Sequence, residues 1–279
     1  MGKHFGKCAL CRKECDLSFE HIPPRSAFNS IPARPVSGED LIRDNDRLPW
    51  DVKGLHYDHQ QKGMGKYSLC EDCNNNTGSW YGNAYAQIAH LFHNALLEPI
   101  SNIAIGLKVK GVYPLQFIKQ VASMFCSVNN FDDERFVALR QFVLDKEAVG
   151  LDKSKYKICM YFTRSHFMKY VPMTAVLTGP AHGSNRFGHI LVSEITAYPL
   201  GFVLFINPSD TYEYEGFDIT CFADWKYEAR ALIDFPLYIL EVNDIFPTFY
   251  RTKEEICNTI DENKKRAEEL EWQKEENTN

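Results

Sequence analysis

Between Trp80 and Leu97 apolar side chains recur every three or four residues. Tyr81, Tyr85, Ile88, Leu91, Phe92 and Ala95 share one face of a helix, which Pro99 closes. Pro114–Val128 predicts a second helix with proline in its first turn, and Asp132–Leu144 a third. Beyond Lys155 the period drops towards two. Strands are expected at Tyr156–Thr163, Val171–Leu177, His189–Thr196, Gly201–Ile206 and Ala231–Val242, punctuated by Thr178-Gly-Pro-Ala and Asn207-Pro-Ser-Asp. Thr252 with Glu255 three residues on forms a capping box for a last helix, whose charged end, Glu268–Asn279, frays. Residues 1–80 hold neither period and are rich in Pro, Gly and Asn. Within them, 22–65 reads as one long irregular connection, with Pro23-Pro24, Pro32, Pro35 and a charged run from Glu39 to Arg47. Connections that long inside a compact domain are functional or mobile. The order predicts an α+β chain: a stapled N-terminal module at residues 1–98, then helices and a mostly antiparallel β-rich domain at 99–279.

Composition narrows the class. The chain has 279 residues, 44% hydrophobic and 24% charged, which excludes a disordered or fibrous protein. A net charge of −6 excludes a uniformly basic nucleic-acid coat. Residues 1–69 nevertheless carry eleven Lys/Arg against nine Asp/Glu, so they are the basic part of an acidic chain. The longest apolar runs, about 10 residues, fall short of the roughly 20 needed to span a bilayer, so no membrane partner is expected. Nine cysteines without an export signal point to a reducing cytoplasm, where clustered thiols bind metal. Cys126, Cys159, Cys221 and Cys257 are scattered in apolar surroundings and read as small core residues.

Four of the remaining five cysteines carry chemistry. Cys8-x-x-Cys11 and Cys70-x-x-Cys73 form two knuckles able to give four thiolates to one tetrahedral Zn²⁺. Four ligands close the shell, so this zinc is structural and staples a segment too polar to fold by packing alone. Cys15 is a spare thiol, read as packing. The knuckles are separated by more than the roughly 15–20 residues of a compact zinc ribbon, so something is inserted. The first knuckle is followed by Glu20-His21-Ile-Pro-Pro, the second by Asn74-Asn-Asn-Thr-Gly78. Neighbouring residues on a strand point to opposite faces, so one of Glu20 and His21 can serve a metal while the other handles a proton. A neutral imidazole is a good general base for water. The Glu20 carboxylate and an Asn carbonyl are hard oxygen donors that suit Mg²⁺ with retained waters. Arg25, Arg34, Lys62 and Lys66 are candidate phosphate contacts. His90, His93, Trp80 and Tyr81 read as packing residues.

This order, Cys-x-x-Cys, acid-His-Ile-Pro, then Leu-Cys-x-x-Cys-Asn with Gly downstream, resembles the HNH endonucleases over residues 8–80. The resemblance implies a ββα-metal fold with an added four-cysteine zinc. It implies that His21 activates the attacking water, that Glu20 and Asn74 hold one catalytic Mg²⁺ or Mn²⁺, and that Cys8, Cys11, Cys70 and Cys73 hold the zinc. The substrate would be nucleic acid, DNA rather than RNA, with bacterial restriction or anti-phage defence as the setting. Family members carry an Asn about five residues before the third cysteine that orients the catalytic His. Gly65 stands there instead, which leaves the orienting role to His56, Asp58, His59, Gln60 or a backbone carbonyl. Two other readings stand beside the nuclease: an inactive zinc-stapled nucleic-acid-binding or scaffold protein, and a ligand-sensing effector governed by its C-terminal domain. An acidic chain binds nucleic acid only through a concentrated basic face, or with a second copy or a partner protein delivering the substrate.

Overall fold

In a computed structural model of the chain, the residues described are 4–43, 47–48, 51–97, 106–178, 188–208, 216–240, 242, 247–248 and 265. Contacts group Met1–Pro247 into one compact unit and Thr248–Asn279 into a second. The expected last helix from Thr252, together with Pro99 and Cys257, lies outside the described residues.

The first unit opens with β1 (His4–Lys7) and β2 (Glu14–His21), an antiparallel hairpin whose turn is the first cysteine knuckle. A short α1 (Gly38–Arg43) lies in the long connection. β3 (Gly65–Cys70) then pairs antiparallel with β2 and runs directly into α2 (Glu71–Leu97). The three strands form one sheet in the order β1-β2-β3. Ser68 is an extra residue in β3 where the register slips between Ser18 and Phe19. Helix α2 begins nine positions before the hydrophobic period predicts, because its first turns are written in polar residues. Glu71 and Asp72 favour the positive N-terminus of the helix dipole.

Strand β4 (Gly106–Val112), missed by the sequence reading, precedes α3 (Pro114–Val128), which matches its predicted limits. Every residue of α3 except Gln116 is buried, so it is the central helix. The third helix is shorter than expected. Asp133 accepts from the Arg135 N–H and opens a 3-10 turn, and the α-helix proper, α4, is Val137–Leu144. The buried Lys119 of α3 donates to the Phe142 carbonyl at 2.6 Å and to that of Asp145, tying down the end of α4.

Strands β5 (Tyr156–Thr163), β6 (Lys169–Thr178), β7 (Gly188–Ala197), β8 (Leu200–Ile206), β9 (Phe217–Asp218) and β11 (Ile239–Leu240) form a six-stranded sheet. Its order is β11-β5-β8-β7-β6 with β9 on β5, all antiparallel except β11 against β5. The single strand expected at Ala231–Val242 is two: β10 (Ala231–Pro236) pairs with β4, and β11 joins the larger sheet. Pro236 is the last residue of β10 and cannot donate to a ladder, so the chain leaves that sheet after it.

The core is continuous across the boundary expected at 98/99. Phe92 of α2 stacks on Phe162 of β5 at 4.1 Å and meets Phe235 of β10 at 5.1 Å. Tyr85 stacks on Phe117 of α3 at 5.7 Å. The N-terminal module is therefore packed into the rest of its unit. Leu91, expected on the packed face, is exposed, and Ala84, Ala89 and Leu96 are buried instead.

Candidate metal centre and the Glu20–His21 site

The first knuckle is shaped by the β1–β2 turn. The Cys8 N–H donates to the Lys13 carbonyl, and Arg12 takes a left-handed φ of 62°. The Arg12 guanidinium then reaches Asn130 Oδ1 at 2.6 Å and Asp132 Oδ1 at 2.7 Å, while Arg140 Nε donates to the Ala9 carbonyl at 3.0 Å. These contacts, from the segment after α3 and from α4, hold the turn. The second knuckle is the junction of β3 with the first turn of α2. The Sγ atoms of Cys8, Cys11, Cys70 and Cys73 all lie within 4.8 Å of one another. Sulfurs on a tetrahedral zinc stand about 3.8 Å apart, given Zn–S bonds of about 2.3 Å, and Cys11 and Cys70 are 3.9 Å apart. The Cys70 N–H points at Cys8 Sγ (3.3 Å) and the Cys73 N–H at Cys70 Sγ (3.5 Å), the donors a thiolate needs. The Cys73 thiol, donating to Cys8, pulls Cys8 down to about 4. Cys73 is pushed up by that same bond, and Cys11 chiefly by burial. The four cysteines could bind a metal such as zinc. Cys15 is half-buried against the core and lies outside this set of four. Cys126 and Cys159 are buried as expected, but Cys221 is exposed at the surface, a correction to its reading as a core residue.

Glu20 and His21 close β2 and point to opposite faces of the sheet. Glu20 shares its face with Ser18 and is only 5% exposed. No donor among the described residues reaches its carboxylate, and burial pushes it up to about 8. Asn74, in the first turn of α2, reaches the same stretch of β2. Its amide nitrogen donates to Ser18 Oγ at 2.9 Å and to the Phe19 carbonyl at 3.1 Å, which leaves Oδ1 as the open acceptor. Apart from the four cysteines, no group of three or more His, Cys, Asp or Glu converges among the described residues.

His21 lies on the outer face. Its Nε2 is 3.1 Å from the Lys62 carbonyl. A carbonyl only accepts, so Nε2 carries the hydrogen and Nδ1 keeps its lone pair. Burial lowers the imidazole; the bond to Lys62 opposes this, and the charges of Arg25 and Lys62 lower it further. Arg25 and Lys62 are exposed, and neither pairs with a carboxylate among the described residues. Arg25 also lines a 530 Å³ cavity that follows Gly78, Gly82 and Asn83 along α2.

The carbonyl that orients His21 sits in a clamped turn. Buried Asn29 donates to the carbonyls of Pro23 (2.7 Å) and Met64 (2.8 Å) and accepts from the Met64 N–H (2.7 Å). Gln60 grips the next residue: its Nε2 donates to the Gly65 carbonyl and its Oε1 accepts from the Gly65 N–H. Asn29 escaped the sequence reading; the signal was an Asn inside a Pro-rich segment eight residues after His21. A Cβ on Gly65 would stand 2.1 Å from the Glu20 carbonyl oxygen and 2.7 Å from the Phe19 ring. Only glycine fits at position 65, and a backbone carbonyl orients the imidazole. Among the described residues His56, Asp58 and His59 make no hydrogen bond to His21, whereas Gln60 acts through Gly65. His90 Nε2 lies 2.8 Å from the Ser26 carbonyl and His93 Nδ1 2.9 Å from the Tyr198 hydroxyl; His93 is half-buried, whereas His90 is exposed. No described helix is long and apolar enough to cross a membrane.

Comparison with protein-family models, with curated proteins and with solved structures found no match.

Proposed function

We propose that the chain is a metal-dependent endonuclease of the HNH type, acting on phosphodiester bonds of nucleic acid, DNA rather than RNA, in the cytoplasm. The observation that carries the reading is the arrangement around the end of β2. An imidazole with an open Nδ1 and two unpaired cations lies on one face, and a buried, donorless carboxylate next to an Asn on a helix lies on the other. A surface acid beside a hydrogen-bonded His explains neither the burial of Glu20 nor the clamp on the Lys62 carbonyl.

In this reading the cysteine cluster holds structural Zn²⁺, and Glu20 with Asn74 holds Mg²⁺ or Mn²⁺. The donor set fits: one carboxylate and one amide oxygen are ligands a water-retaining Mg²⁺ accepts. When bound, that cation stabilises charge on the scissile phosphate and the leaving 3′ oxygen. The phosphate must then sit at the end of β2, within reach of both faces; there His21 Nδ1 takes a proton from the attacking water, and the Lys62 carbonyl holds the ring in the tautomer that allows it. Arg25 and Lys62 attract the phosphate, and burial of the imidazole, with their charges, lowers it from its ordinary value.

The test is cleavage of plasmid DNA and of RNA by the full chain with and without magnesium, beside His21→Ala. The expected result is magnesium-dependent nicking that His21→Ala lowers by a hundredfold or more, the scale of general-base catalysis. Equal cutting by His21→Ala would remove His21 from the mechanism. Nucleic-acid binding without cutting would favour the non-catalytic reading.

A further inference from the structure

The pairing registers put His4, Leu17, Phe19, Tyr67 and His21 on one face of the three-stranded sheet. Every carboxylate of those strands, Glu14, Asp16 and Glu20, falls on the other. On the acid-free face the rings touch in series. His4 stacks on Tyr67 with centroids 3.6 Å apart and planes 14° from parallel. Tyr67 meets Phe19 edge-on at 5.3 Å, and Phe19 meets His21 at 5.1 Å. The Phe19 ring lies over Gly65, whose missing Cβ makes room for it. Tyr67 is 38% exposed, and His4 is exposed. The row ends at the imidazole flanked by Arg25 and Lys62.

We propose that this row is a stacking platform for the unpaired bases of a single-stranded nucleic acid, its phosphates drawn to Arg25 and Lys62. The proposal rests on the nuclease reading and names the form of its substrate. Aromatic side chains bind single strands because every base has a π-face to stack, whereas the faces of bases in a duplex are already stacked on one another. The charges agree: a phosphate chain crossing this face meets two unpaired cations and no acid from the strands. The competing account is that the rings are cross-strand pairs stabilising a small sheet. That account predicts a loss of stability on their removal, with no preference between strand forms.

The test is fluorescence anisotropy of the full, zinc-loaded chain, without magnesium. The probes are a fluorescein-labelled oligothymidine and a labelled hairpin duplex of matched length. The wild type should bind the single strand more tightly. Tyr67→Leu keeps apolar cover on Phe19 but removes the π-face. It should weaken single-strand binding roughly 5- to 150-fold, the span of base–aromatic stacking, and leave duplex binding unchanged. Tyr67→Phe should bind like the wild type. His4→Ala removes the exposed outer ring, with a smaller loss in the same direction, and it reads the platform if Tyr67→Leu does not fold. Tighter binding of duplex by the wild type, or equal losses on both probes in Tyr67→Leu and His4→Ala, would overturn the proposal. Cleavage separates the two ideas. Single-strand binding through Tyr67 with no cutting in magnesium upholds the platform and sinks the nuclease. Magnesium-dependent cutting that neither ring variant alters on single strands sinks the platform alone.

Discussion

Asn29→Ala removes the side chain that clamps the turn presenting the Lys62 carbonyl to His21. Three hydrogen bonds go, to the Pro23 carbonyl, the Met64 carbonyl and the Met64 N–H. They are not equivalent. The Met64 carbonyl keeps a second donor, the Ile22 N–H at 3.1 Å, whereas the Pro23 carbonyl and the Met64 N–H lose the partner seen here. Two orphaned backbone groups at about 1–3 kcal/mol each give an expected loss of about 3 kcal/mol. Urea unfolding followed by circular dichroism measures it, with the midpoint falling and the slope unchanged. Asn29→Asp keeps the acceptor for Met64 N–H but turns a carboxylate on two carbonyls, so its loss should be at least as large. Any cutting activity should fall further than stability in conditions where both variants remain folded, because the carbonyl that sets the His21 tautomer is no longer fixed. If Asn29→Ala unfolds within about 0.5 kcal/mol of the wild type, the three bonds do not hold the turn and the positioning argument collapses.

Gly65→Ala drives a Cβ into the Glu20 carbonyl and should cost about 2 kcal/mol or more by thermal denaturation, since the obstructing atom is backbone; a neutral result would mean β2 and β3 are further apart than described. Purified chain should carry one zinc by elemental analysis, and Cys8→Ser or Cys73→Ser should lose it together with cooperative unfolding; full zinc content in both variants would put the ion elsewhere. His21 should titrate below the usual value of about 6.5 in magnesium-free chain, followed by NMR of the labelled imidazole. Arg25→Gln removes a charge that disfavours the imidazolium, so the midpoint must rise; a fall would misplace Arg25. Lys119→Met leaves the Phe142 carbonyl without its ammonium donor, while the Asp145 carbonyl keeps the Ala148 N–H, so a loss of about 1–2 kcal/mol in chemical denaturation is expected; no loss would show that the cap is dispensable.

The elements written in regular periods were legible from residues alone. Helix α3 and strand β5 have the limits their patterns predict, because a buried helix and a buried strand each need an unbroken apolar text. The polar first turns of α2 were not legible. They are stabilised by the helix dipole and by the cysteine cluster beside them, and neither leaves a hydrophobic period. Strand β4 was missed although Leu107, Lys108, Val109 and Lys110 alternate, and its partner β10 lies more than a hundred residues away. In the site, the four cysteines announced themselves by spacing, since a tetrahedral ion fixes which residues must meet. The device that holds His21 did not. It is a main-chain carbonyl, positioned by an Asn thirty-five residues from the peptide it grips, and a carbonyl has no residue type to read.

The most direct measurement is anomalous diffraction from crystals of the zinc-loaded chain soaked in manganese, with data at both metal edges. The account predicts a zinc peak among the four sulfurs and a separate manganese peak bonded to Glu20 Oε and Asn74 Oδ1. Manganese bound only elsewhere, or Glu20 still buried and unliganded at saturating manganese, would contradict it.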